Sequence, residues 1–167
     1  MDAGLALARV VLGPLMAAHG AQKLFGWFGG HGLVAVSGMF EGLGFRPGRV
    51  FATAASVSEV ASGLLVALGF LGPIGPALML SVMIVAAVSV HWQNGLFVMD
   101  NGIEVPLLYA AGAAALALTG PGQYSLDALF GLTPLWTPAV TWGVLAAGVI
   151  GGVANLALRR TTVHAAA

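Results

Sequence analysis

Five long apolar runs pattern this chain, at residues 3–25, 50–71, 74–92, 104–120 and 135–158, each separated from the next by glycine, proline or polar residues. A helix rises about 1.5 Å per residue, so roughly 20 apolar residues cross about 30 Å of hydrocarbon. The pattern predicts five transmembrane helices, the fourth short for a span. Gly72-Pro73 and Gly75-Pro76 leave only a tight turn between the second and third runs, which makes that pair an antiparallel hairpin. The segment from Thr119 to Asp127 breaks the chain after the fourth. Between the first two spans Leu33, Val36, Phe40 and Leu43 recur at helical spacing with Glu41 off the stripe, the signature of a short interfacial or re-entrant helix. Residues 161–167 read as a flexible tail. The fold class is an all-α polytopic transmembrane helical bundle.

Composition agrees with the pattern. Of 167 residues, 59% are hydrophobic and 7% charged, and the mean hydropathy is +0.96, too little polar material to cover a water-facing surface. Net charge is zero and no run of Lys or Arg occurs, which argues against nucleic acid as a partner. Cysteine is absent, which excludes dithiol relays, thiolate-held iron–sulfur clusters and covalent c-type haem. With five spans, Lys23, Arg46, Arg49, Arg159 and Arg160 all fall on one side, while Asp2 and Asp127 fall on the other. The positive-inside rule then supports five spans, with the N-terminus outside and the C-terminus in the cytoplasm. A cleaved signal peptide is disfavoured, because Asp2 is the only charge before the first apolar run.

The polar residues within the spans carry the candidate chemistry, since ionisable groups at membrane depth are costly without a partner or a task. The stretch His19-Gly-Ala-Gln22-Lys23-Leu-Phe-Gly-Trp27-Phe28-Gly-Gly30 sits where the first span ends. Arg9, Gly13, Met16, Gly20 and Lys23 share one helical face, with His19 on its flank. Glu59 lies near the middle of the second span, beside Ser56, Ser62 and Gly63, and is expected either protonated or paired with Arg9. His91 ends the third span in His-Trp-Gln-Asn94-Gly, and Glu104 opens the fourth before Pro106. His19, Lys23, His91 and Glu104 should therefore converge toward the cytoplasmic end, with Glu59 below them and Arg9 deeper still. Blander roles compete with this picture: an Arg9–Glu59 pair that only orients helices, a Lys23 that snorkels, belt aromatics at Trp27 and Phe28, and a Glu104 that complements its helix dipole. His31 and His164 read as loop residues, and Trp136, Trp142 and the small residues of the last span as packing.

Taken together, Arg9, the His19 to Gly30 motif, Glu59, His91-x-x-Asn-Gly, Glu104 and Gly120-Pro-Gly-x-Tyr-Ser-Leu-Asp127 make the chain resemble the DoxX family of small bacterial membrane proteins over nearly its first 130 residues. The family pattern has Glu-Tyr-Asn where this chain has Glu104-Val105-Pro106, so any role of that Asn is lost. The resemblance implies a four-helix membrane domain at 1–130, with 131–160 an additional span. It also implies a link to respiratory or thiol-stress oxidoreductases, some relatives being subunits of quinone-reducing complexes.

The leading expectation is a membrane subunit of an oxidoreductase system that meets quinone or menaquinone. A quinone is confined to the bilayer, and its reduction takes two electrons and two protons, with donors aimed at its carbonyl oxygens. His19, Glu59, His91 and Glu104 would donate or relay protons, while Arg9, Gln22, Lys23, Trp27, Phe28 and Asn94 would bind the ring. No flavin or nicotinamide motif is evident, so any enzymatic role would need electrons from a partner subunit. Two alternatives stand beside it: a non-catalytic anchor or assembly subunit, and a metal or b-haem site built from His19, Glu59, His91 and Glu104. Homo-oligomers remain open.

Overall fold

The computed structural model describes residues 2–160; the expected tail, with His164, lies outside them. Five helices run back and forth: α1 (Asp2–Phe25), α3 (Gly48–Leu68), α4 (Ile74–Ala86, continuing through π-helical and 3₁₀ turns to Asn94), α5 (Glu104–Thr119) and α7 (Pro138–Ala157). Four of these are long and apolar enough to cross a membrane, and α5 is the shorter apolar helix that the sequence pattern anticipates. The short helices α2 (Gly32–Gly42) and α6 (Leu126–Leu129) sit at opposite ends. Helix α2 packs Val36 and Phe40 onto Phe45 and Ala52, with Leu33 and Leu43 at the margin, so the predicted stripe is the buried one.

Burial is inverted relative to a water-soluble protein. Arg9, Ser56, Glu59 and Ser62 are buried, while Leu7, Val11, Leu15, Leu64, Ile150 and Val153 face outward. Polar groups gather where other helices can satisfy them, and the apolar exterior needs lipid to cover it. The chain is a multi-pass membrane protein.

The tightest contact is α1 against α3. Cβ atoms added at Gly13, Gly20 or Gly63 would come within about 2.5–2.6 Å of backbone atoms on the facing helix, so only glycine permits this approach. The contacts fix an antiparallel register: Gly13 faces Gly63 and Ala67, Gly20 faces Ser56 and Val60, and Arg9 lies against Gly69. Helix α4 then packs on α3, α5 and α7, whereas α1 and α5 lie farther apart and meet through side chains, among them Leu12 on Gly112 and His19 on Tyr109. The central core is rich in methionine, with Met16, Met79 and Met83 around Val66, Tyr109 and Leu116. Gly63→Leu is expected to force α1 and α3 apart and to cost about 1–3 kcal/mol, the usual penalty of overpacking. Thermal unfolding in detergent reads this out, with Gly4→Ala, where nothing lies within 4 Å, as the neutral comparison.

Candidate functional site

The register decides which charges meet. Every helical Cα–Cβ bond leans toward the helix N-terminus. Lys23, two residues from the end of α1, therefore leans back into the bundle, and Glu59 on antiparallel α3 leans out toward the same end. The Lys23 ammonium and Glu59 Oε1 form an ion pair, the one such pair among the described residues. The Lys23 side chain is 28% exposed and that of Glu59 1%. Lys23 is thus turned inward rather than snorkelling.

This corrects the expected Arg9–Glu59 pairing. Arg9 and Lys23 are fourteen positions apart on α1, roughly 21 Å along the axis. The Cβ of Arg9 leans toward the Asp2 end, where Nη2 donates to the Tyr124 carbonyl and the guanidinium lies within Coulombic range of Asp127. Arg9 therefore serves the far end of the bundle and cannot share a site with Glu59.

Around Glu59 the environment is polar yet incomplete. Its Oε2 is buried and has no hydrogen-bond partner among the described residues. The Ser56 and Ser62 hydroxyls donate back to their own helix, to the Ala52 and Glu59 carbonyls, so neither fills that place. The Tyr109 phenol on α5 lies within Coulombic range of the carboxylate, and its ring meets His19 edge-on at a centroid distance of 5.9 Å. Tyr109 is buried, while His19 is exposed where α1 meets α5. The cluster is Lys23, Glu59, His19 and Tyr109, drawn from three helices.

His91 and Glu104 do not join it. His91 Nδ1–H donates to the Asn101 carbonyl at 2.7 Å, which leaves Nε2 as the acceptor nitrogen of the neutral ring. Asn94 Nδ2 donates to the Val90 and Asn101 carbonyls, each at 3.2 Å, and Glu104 Oε2 accepts the Val98 N–H at 2.8 Å. All three staple the 95–103 loop. These bonds commit His91 and Glu104 to the loop, and among the described residues no three His, Asp or Glu gather within reach of a metal ion, as the expected metal or b-haem site would need. Gln22 Nε2 donates to the Phe28 carbonyl at 3.1 Å and shapes the glycine turn after α1. Trp27 packs on Phe25 and meets Phe28 edge-on, and Trp27 and Phe28 are 59% and 69% exposed, as belt aromatics would be.

At the Asp2 end the structure buries Asp127, which the sequence pattern places in a loop. Its carboxylate accepts the N–H groups of Leu71 at 2.8 Å and Gly72 at 2.6 Å, and the Trp136 indole N–H at 2.7 Å. It clamps the α3–α4 turn, where Leu71 stands at φ +59° and a Cβ at Gly72 would run into the Trp136 indole. A cavity of about 260 Å³ walled by Gly72, Pro73, Trp136 and Trp142 lies beside it, at the opposite end from Glu59 and without an ionisable side chain in its lining.

A helical membrane bundle with an ion pair set between its two most closely packed helices is the class of protein these features define. The chain belongs to the DoxX family, whose model matches residues 4–92, a stretch that holds Arg9, the His19 to Gly30 motif, Lys23, Glu59 and His91. The match ends before Asn94, Glu104 and Tyr109. No curated protein and no solved structure matches the chain.

Proposed function

We propose that this protein is the membrane subunit of an oxidoreductase system and that its Lys23–Glu59–His19–Tyr109 cluster receives the headgroup of a membrane quinone. The observation that carries the reading is the partnerless Oε2 of Glu59, buried and within Coulombic range of the Tyr109 phenol. A lone buried carboxylate oxygen is costly unless something donates to it, and a quinol hydroxyl is such a donor. The residue types suit the group: apolar side chains for a ring, methionines that adapt their shape, and a few polar groups. Quinone supplies reversible two-electron, two-proton chemistry.

The chain's own residues supply binding and protons. Lys23 pairs with Glu59 and places positive charge where the reduced ring gains negative charge. Glu59 Oε2 accepts a proton or a quinol hydroxyl. His19, exposed where α1 meets α5, donates to a carbonyl oxygen and exchanges protons with the surface. Tyr109 orients the imidazole. Electrons come from a partner subunit, and the Lys23 end faces the cytoplasm, as the gathering of Arg46, Arg49, Arg159 and Arg160 there supports.

The test is quinone retained per protein after purification with native lipid. Glu59→Gln and His19→Ala should each lower it about tenfold, the worth of one good hydrogen bond of about 1.4 kcal/mol. His91→Ala and Glu104→Gln, which touch only the 95–103 loop, should leave it unchanged. Retention unaffected by all four would favour a non-catalytic anchor, a reading supported by how many polar groups serve turns: Asp127, Asn94, His91 and Glu104.

A further inference from the structure

At the Lys23 end, α7 finishes against the loop between α2 and α3. The Arg160 N–H donates to the Gly44 carbonyl at 2.8 Å, and Arg159 Nε donates to the Leu43 carbonyl. Gly44, at φ +93°, leaves the space this contact needs, since a Cβ there would meet the Arg160 carbonyl at 2.6 Å. The junction walls a pocket of about 240 Å³ lined by Glu41, Gly42, Leu43, Gly44 and three arginines, Arg46, Arg159 and Arg160. A second pocket of about 230 Å³ shares Leu43 and Arg159 and runs on to Val88, Trp92 and Asn94.

Three features bear on what enters. Among the described residues none of these arginines has a carboxylate within 4 Å, and Glu41, the one acid in the lining, accepts the Gly48 N–H at 3.2 Å. The pocket sits at the level where the spans end, beside exposed Trp92 and beside α2, whose Val34 is 91% exposed and needs an apolar covering. It is also open to the exterior, not closed within the bundle. A phosphate-bearing anion at the bilayer surface satisfies the guanidinium groups, which match phosphate oxygens in fork geometry, while acyl chains cover α2.

We infer that the pocket between the end of α7 and the α2–α3 loop binds the phosphate headgroup of an anionic phospholipid, which ties the additional span to the interfacial helix. The site is independent of the Glu59 cluster.

Native mass spectrometry of the full, delipidated chain titrated with phosphatidylglycerol tests this, with phosphatidylcholine and inorganic phosphate as the other arms. The expected result is retained phosphatidylglycerol, weak phosphatidylcholine and no displacement by millimolar phosphate. Arg46→Gln with Arg160→Gln should lower phosphatidylglycerol occupancy about tenfold, given what each basic residue contributes at an anionic surface. This variant keeps the Arg159 contact and the Arg160 backbone bond, so its helical content and its unfolding temperature without lipid should match the parent. Arg49→Gln, outside the lining, should bind as the parent does. Equal retention of both lipids, or undiminished binding by the double variant, overturns the inference; displacement by inorganic phosphate shows a soluble-phosphate site instead and overturns the lipid assignment.

Discussion

Lys23→Met should cost the bundle about 3–5 kcal/mol, the range for removing one partner of a buried ion pair. The loss arises less from the vanished attraction than from the Glu59 carboxylate left behind, 1% exposed and with both oxygens then unpartnered. Methionine keeps the length of the stem, so packing against α3 is little disturbed. Removing both charges, as Lys23→Met with Glu59→Leu, should recover most of the stability, because no buried charge remains. The double-mutant cycle, read by thermal unfolding in detergent, should therefore show strong coupling. Additive effects would contradict the pairing. The restored double variant is also the useful one for function, since it should fold yet retain no quinone.

Asp127→Ala should be at least as damaging, by about 4 kcal/mol or more, because three donors lose a charged acceptor and each such bond contributes about 1.5–3 kcal/mol. The Leu71 and Gly72 amides and the Trp136 indole would be left without it. Two further strains follow. Leu71 holds a left-handed conformation that the surrounding bonds enforce, and Arg9, whose Nε and Nη1 already lack partners among the described residues, loses its nearby counter-charge. Asp127→Asn, which keeps one carbonyl acceptor, should fall between alanine and the parent. A change of less than about 1 kcal/mol for alanine would mean that the turn is held by packing instead.

The spans were legible because apolar run length and glycine–proline punctuation answer directly to bilayer thickness and helix termination. The α2 stripe was legible for the same reason, since Val36 and Phe40 recur at helical period. The ion pair was not. Face periodicity puts Arg9 and Lys23 on one side of α1 but is silent on the offset of α3, and that offset comes from Gly13, Gly20 and Gly63 interlocking across the pair. Depth along the membrane normal, together with the N-terminal lean of Cβ, would have favoured Lys23 over Arg9. Tyr109 was missed because a phenol in an Ala- and Leu-rich run looks like packing; its polar tip in the fourth span was the available signal. Asp127 was hidden by its loop, although Ser125, which caps α6 by accepting the Ala128 N–H at 3.1 Å, already marks a structured turn. The loop bonds of His91 and Glu104 were not legible either, because loop-stapling residues and ligand donors are chemically alike.

Photo-crosslinking with a ring-azido quinone in proteoliposomes reports most directly on whether the Glu59 cluster holds a quinone headgroup. Label should fall on residues 16–23 and 105–112, on the two sides of the α1–α5 seam, be competed away by unmodified quinone, and be lost in Glu59→Gln with His19→Ala. Label scattered over the lipid-facing side of α7, or insensitive to competitor and to those substitutions, would contradict the quinone assignment.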